Sequence, residues 1–380
     1  MKATSGRGDD VIIYDMSVGG ENFSRAGGFF GGAFKRESLI SMLLLGLMLL
    51  GLTGCNNAAK KPMSNAKLQV MGFYEKGWND LTYGFPSLKA HYKEISVLMP
   101  YWYTILADGN IKTASVGLEP EVIDFMRQHP EIKLLPLINK DLNDQSVLTD
   151  PATRNTAIKN IVTIVTENDY DGVNIDFELL PGKNRDDLTV FIRDLSKQLR
   201  AHKKMISVSV MPKLDGLEDI GAAYDYGALG QLTDYVTIMT YDKHGGSTDP
   251  GSVSPYKWVE KNIKEALKYI PANKLVVCIG AYGYDWPVPK VAETKYIGMR
   301  EAQQRAAAHK ATIKWDDDSQ SAYFFYWDGG VKHEVWFENG YSITRKVALA
   351  KKYNIRGVAV WRIGFEDKQY WAKLHEAVNK

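Results

Sequence analysis

The chain has 380 residues, with 47 Lys plus Arg against 45 Asp plus Glu, a formal net charge of +2, and 45% hydrophobic residues. That length accommodates a sizeable core and is compatible with one large domain. The even charge balance and the lack of a long basic run argue against nucleic acid as a partner.

The first 55 residues differ from the rest. Residues 1–33 are Gly-rich, a short basic flank follows at Phe34-Lys35-Arg36, and an apolar run occupies 39–54. A basic flank, a short apolar stretch and small residues before a cut describe a secretory signal. A resident transmembrane helix needs about 20 apolar residues, so a permanent anchor fits this run less well. Leu52-Thr53-Gly54-Cys55 resembles the bacterial lipobox, in which the Cys is lipidated and becomes the first mature residue. The resemblance implies an exported protein held to the outer face of the membrane by lipid on Cys55. A signal at 1–54 and a polar tether at 55–66 follow. The 33 residues ahead of the flank exceed an ordinary n-region and point to a start downstream of Met1. The only other cysteine is Cys278, in an apolar run and most simply a small buried hydrophobe. No disulfide is expected, and the absence of a Cys/His cluster at ligand spacing predicts neither metal nor cofactor.

From residue 67 onward, short apolar runs alternate with amphipathic segments. The runs fall at 68–74, 95–101, 132–138, 172–178, 205–211, 235–241, 275–282 and 357–361. Helical patterns lie between them, at 119–128, 153–168, 186–202 and 256–269, with Asp150-Pro151 as N-cap and first-turn proline. Near-continuous apolar strands separated by helices predict a parallel sheet covered on both faces. Eight of them predict a (β/α)8 barrel over 67–380, with an open doubly wound sheet as the alternative. About 75 residues separate the last two runs, far more than one helix needs. Short strands at 323–327 and 334–337 around Asp328-Gly329-Gly330, with a helix at 299–310, predict a small α+β insertion over 287–340. Further helices are expected at 342–353 and 367–378.

The fourth run carries the most informative residues, DGVNIDFE at 171–178. Alternate side chains of a strand share a face, so Asn174, Asp176 and Glu178 line one side, roughly 6.6 Å apart. Two carboxylates in an apolar strand are costly to bury unless partners or chemistry compensate. Active groups of such barrels gather at the C-terminal strand ends. There the sequence places Tyr74, Met239, Tyr241, Asp242 and Trp361, with Gly357 and Ala359 as small neighbours leaving space beneath the indole.

DGVNIDFE resembles the D-x-x-D-x-D-x-E strand of glycoside hydrolase family 18, the chitinase-type barrels. Met239-Thr240-Tyr241-Asp242 is similar to that family's sixth-strand motif, and Trp361 stands where the family has its eighth-strand Trp. Within the family, DGVNIDFE, Tyr282-Gly-Tyr-Asp-Trp286 and His333-Glu-Val-Trp-Phe-Glu338 resemble the bacterial branch acting on spore cortex and other peptidoglycan. The resemblance implies a retaining mechanism in which the substrate's N-acetyl oxygen is the nucleophile. Glu178 would be the acid and then the base, with a raised pKa owed to Asp176 and partial burial. Asp176 would hold the acetamido N–H, Tyr241 its carbonyl, and Asp242 the same sugar, over a Trp361 floor. Met239, Tyr74 and Asn174 complete the substrate-binding set. The chain departs from the family at Asn174, where an Asp is usual; Asn can donate to Asp176 but cannot take up charge. The implied partner is a GlcNAc-containing polysaccharide, cleaved by a monomer. Readings left open are peptidoglycan β-N-acetylglucosaminidase, chitinase or N-glycan endo-N-acetylglucosaminidase, and a non-catalytic carbohydrate-binding barrel.

Overall fold

The computed structural model describes residues 68–76, 84–113, 118–216, 218–288 and 290–380. The apolar run at 39–54, Cys55 and the tether lie outside these residues. Among the described residues, no helix is long and apolar enough to cross a membrane.

Eight parallel strands close on themselves: Gln69–Tyr74, Val97–Ile105, Leu137–Lys140, Gly172–Ile175, Met205–Val210, Tyr235–Ile238, Leu275–Gly280 and Gly357–Trp361. They are the first to eighth barrel strands. The first strand pairs with both the second (Met71↔Val97) and the eighth (Gln69↔Gly357), so the sheet has no free edge at this seam. This is the (β/α)8 barrel expected, and closure excludes the open doubly wound sheet. Helices including Pro120–Gln128, Pro151–Glu167, Arg185–Ala201 and Tyr256–Ala266 fall between the strands. Asp150 caps the second of these, accepting from the Thr153 amide, with Pro151 in the first turn. The third run is split into Lys133–Leu134 and Leu137–Lys140 around Pro136, which has no amide to give the ladder.

Strand alternation divides the apolar residues into two cores. Val70, Val173, Ile175, Val208, Val236, Val277 and Val358 face the helices. Met71, Phe73, Met99, Leu137, Tyr235, Met239, Val276, Cys278 and Ala359 fill the interior. Gly357 has a different reason from the one its sequence suggests: a Cβ there would lie 2.1 Å from the Gln69 carbonyl oxygen, so it permits close approach of the first and eighth strands.

The second sheet begins immediately after the seventh strand. Its order is Lys295–Gly298, Tyr282–Val288, Val331–Phe337, Ser321–Asp328, Lys314–Asp316, entirely antiparallel. It starts at Tyr282, ahead of the position 287 expected, because Tyr282-Gly-Tyr-Asp-Trp286 forms a strand of its own. Asp328 pairs with Val331 across Gly329 and Gly330, whose φ of +52° and +81° suit the two-residue turn. The helix Met299–Ala308 packs on one face through Ala302 and Ala306. Buried Asp285 ties the two together: Arg305, Tyr326 (2.5 Å) and His333 (2.7 Å) all bond its carboxylate. The other face presents Tyr284, Trp286 and Trp336 to the neighbourhood of Tyr241, Trp361 and Phe365.

Candidate active site

The ladder of the fourth strand ends at Ile175, although the Asp176 amide still donates to the Ile138 carbonyl at 3.0 Å. Asp176 and Glu178 therefore stand at the very edge of the sheet, and Leu179 turns the chain away with φ +50°. Val173, Ile175 and Phe177 go to the helix-facing core. Asn174 and Asp176 go inward, with 0% and 8% exposure, and Glu178 is half-buried above them. Asp171, the first acid of the motif, lies at the opposite strand end and braces it, accepting from Lys133 Nζ at 2.7 Å and the Leu134 amide at 2.9 Å.

Asp176 is within hydrogen-bond reach of Glu178. Burial first, and the facing Glu178 charge second, push the Asp176 carboxyl well above the usual carboxylate range. Two carboxyls in contact share a proton as a pair, and the pair has the pKa values. Asp176 is the more buried member of the pair, because it sits one step deeper in the barrel.

The sixth strand continues the inward phase through Tyr235, Thr237, Met239 and Tyr241. Met239 is buried against the interior cluster, and Tyr241 rests between that cluster and the aromatic group of the second sheet. Burial, with Cys278, Glu178 and Asp176 nearby, pushes the Tyr241 phenol up, so it stays an O–H donor. Asp242 occupies the left-handed region (φ +56°), a conformation that Asp tolerates at a turn. Its Oδ1 accepts from Tyr282 at 2.6 Å and from Tyr284 at 2.9 Å. Burial raises the Asp242 carboxyl, and the two phenols oppose the rise. Trp361 packs beside Phe73, centroids 5.5 Å apart, where the interior meets the second sheet.

Two sequence expectations change. Tyr74 does not face the mouth. It lies in the helix-facing core, where its hydroxyl donates to Glu119 Oε2 at 2.8 Å. The inward ring of the first strand is Phe73, because the alternation counted from Met71 gives that phase. Asn174 does not reach Asp176 directly among the hydrogen bonds found. Its amide donates to Ser207 Oγ (2.9 Å) and its carbonyl accepts from Ser209 Oγ (3.1 Å). The residues not foreseen are Phe73, Ser209, Thr237, Tyr282 and Tyr284. The first three could have been found by extending the inward phase of every strand, and the tyrosines by treating their motif as a strand aimed at the mouth.

Comparison with known proteins supports one assignment. Residues 63–366 match the model of glycosyl hydrolases family 18. A cortical fragment-lytic enzyme of Bacillus subtilis (strain 168) is 31% identical over 239 residues, 61% of this chain and 56% of that protein. A chitinase from Chromobacterium violaceum ATCC 12472 superposes with a TM-score of 0.76 at 26% identity, over 82% of this chain and 99% of that one. The spore cortex-lytic enzyme SleL of Bacillus megaterium QM B1551 gives 0.72 at 27% identity, over 83% and 75%. The chain spans roughly half to two thirds of the first curated relatives it matches (52%, 68% and 56%). The barrel, the second sheet and the paired acids at the fourth strand end thus have their family: the chain belongs to glycosyl hydrolase family 18.

Proposed function

We propose that the protein is a retaining β-N-acetylglucosaminidase that hydrolyses peptidoglycan glycan with the substrate's acetamido oxygen as nucleophile. The observation that carries the reading is the placement of Asp176 and Glu178 on one inward face at the end of the fourth strand, at the same mouth as Tyr241. Glycosidases with an enzyme nucleophile hold their two carboxyls about 5–5.5 Å apart across the bond, and inverting enzymes about 6.5–9.5 Å. Two acids two residues apart on one strand end stand on the same side of a bound sugar and suit neither arrangement. They suit one proton donor and one charge stabiliser on the same side of the sugar.

In this reading Glu178 protonates the glycosidic oxygen and later takes a proton from water. Asp176 accepts the acetamido N–H and stabilises the oxazolinium charge, while the Tyr241 hydroxyl donates to the acetamido carbonyl. Asp242 Oδ2 binds the same sugar, with Met239 nearby in the interior cluster, and the Trp361 indole forms the floor. The cortex-lytic relatives favour peptidoglycan; the chitinase superposition favours chitin as the second reading. Digestion of purified cortex and vegetative peptidoglycan beside chitin oligomers, with mass spectrometry of the new ends, decides between them. New reducing ends at GlcNAc in peptidoglycan are expected. Cleavage of chitin alone would select the second reading, and reducing ends at N-acetylmuramic acid would overturn the first.

The lipobox supports a surface tether that brings this site to the wall. With Cys55→Ala, the protein is expected to lose labelling by a clickable fatty acid and to leave the membrane fraction. Membrane association unchanged in that variant would remove the anchor from the proposal.

A further inference from the structure

Beneath the carboxylate pair the interior is polar, where barrels are usually filled with branched aliphatic side chains. Asn174, Ser207, Ser209 and Thr237 are 0–1% exposed and come from three adjacent strands. Register sets Asn174 beside Ser207 and Ser209 beside Thr237. Thr237 Oγ1 donates to Ser209 Oγ at 3.1 Å, Ser209 Oγ donates to Asn174 Oδ1 at 3.1 Å, and Asn174 Nδ2 donates to Ser207 Oγ at 2.9 Å. One residue beyond the Ile175↔Val208 pair, the register sets Ser209 beside Asp176, whose Oδ1 is buried without a hydrogen-bond partner.

A serine hydroxyl has one proton. Ser209 therefore has two acceptors, Asn174 and Asp176, for a single hydrogen. With the proton of the pair on Asp176, the Ser209 hydrogen is free to bond Asn174. For Glu178 to act as an acid, the proton must move to it from Asp176, and negative charge then appears on Asp176. The other titratable groups facing Asp176 are Glu178, Tyr241, Tyr101, Tyr224 and Cys278, none of them cationic. A hydroxyl that can rotate is the compensating group at hand.

We propose that Ser209 is a positioning residue that turns its hydrogen from Asn174 to Asp176 when the proton passes to Glu178, and so stabilises the ionised form of Asp176. One O–H bond breaks on Asp176 and one forms on Glu178, and the charge moves the opposite way. Thr237, whose single hydrogen has both the Val208 carbonyl (3.3 Å) and Ser209 Oγ (3.1 Å) as acceptors, supports the turn when it donates to Ser209, which leaves the serine's own hydrogen to choose. The hydrogen bond from Ser209 lowers the Asp176 pKa against the effect of burial, in keeping with this role. The inference rests on the assignment of hydrolysis to Asp176 and Glu178.

The test is kcat and KM against pH on soluble peptidoglycan glycan fragments for wild type, S209A, T237V and S207A, with E178Q alongside. The working form has one proton on the pair, so the acidic limb reports the first ionisation. Losing the Ser209 donor makes that ionisation harder. In S209A the limb is expected to move to higher pH by about one unit, with kcat down about tenfold and KM within about twofold. T237V is expected to move it the same way by less. S207A, which touches Asn174 on its far side, is expected to leave it in place. A fall in kcat equal at every pH, or a limb moved equally by S207A, would overturn the inference. Retained activity in E178Q would instead remove the catalytic assignment beneath it, whatever S209A does.

Discussion

Replacement of Glu178 by Gln is expected to lower kcat by about 10³-fold, the middle of the range for loss of one general acid–base group. The fold should be retained and KM should stay near wild type. The side chain is half-buried at a strand end rather than packed in the core, and Gln matches its shape. Gln can donate a hydrogen bond to Asp176 but cannot deliver a proton to a departing alkoxide. The defect is therefore tied to the leaving group. An aryl glycoside whose phenol departs without protonation should recover much of the first step in E178Q. Turnover of natural glycan within tenfold of wild type would mean that the acid is elsewhere. The same substitution also removes the charge opposite Asp176, so that carboxyl should titrate closer to an ordinary one, which carboxyl-carbon NMR can follow.

The barrel was legible because its strands are apolar on both faces and its helices are not, which is how a parallel sheet inside a helical layer must be written. The site was legible at 176 and 178 because acids in such a strand demand an explanation. Legibility failed where the phase had to be carried past a strand's last residue. Tyr74 ends the first run, and a terminal aromatic looks like a mouth residue, yet its phase is that of Val70 and its hydroxyl is taken by Glu119. The hydroxyl network failed to show for another reason. Ser207, Ser209 and Thr237 are ordinary strand residues one at a time, and only the register of three strands brings them to Asn174. Pairing between distant segments is the part that no local pattern contains. The clamp of Tyr282 and Tyr284 on Asp242 is of the same kind: it joins the end of the sixth strand to a separate sheet some 40 residues onward.

Asp176→Asn should separate catalysis from stability in a way that Glu178→Gln does not. In the proposed mechanism, loss of the carboxylate removes the charge set against the developing oxazolinium ion, and kcat is expected to fall by about 10²–10³-fold, the scale of one preorganised electrostatic group. An activated aryl leaving group should not rescue this variant, because the deficit lies in the cation rather than in the departing oxygen. Stability should change in the opposite direction. The folded protein holds the Asp176 carboxyl above its unfolded value, through burial and the charge of Glu178. Folding thus binds the proton more tightly than the unfolded chain does. Its contribution is fully present below the unfolded pKa of about 3.9 and is lost as pH rises through the folded pKa. Above that point the wild-type fold carries a buried charge that Asn lacks. Melting curves of D176N and wild type should therefore nearly coincide at about pH 4 and diverge toward alkaline pH, with the variant the more stable. Equal melting temperatures at alkaline pH would mean that the Asp176 charge is better solvated than its burial implies. The case for a strained, proton-sharing pair would then lose its energetic basis. The divergence, if found together with lost turnover, would mark the cost in stability that this barrel bears for holding a carboxylate ready against a cationic intermediate.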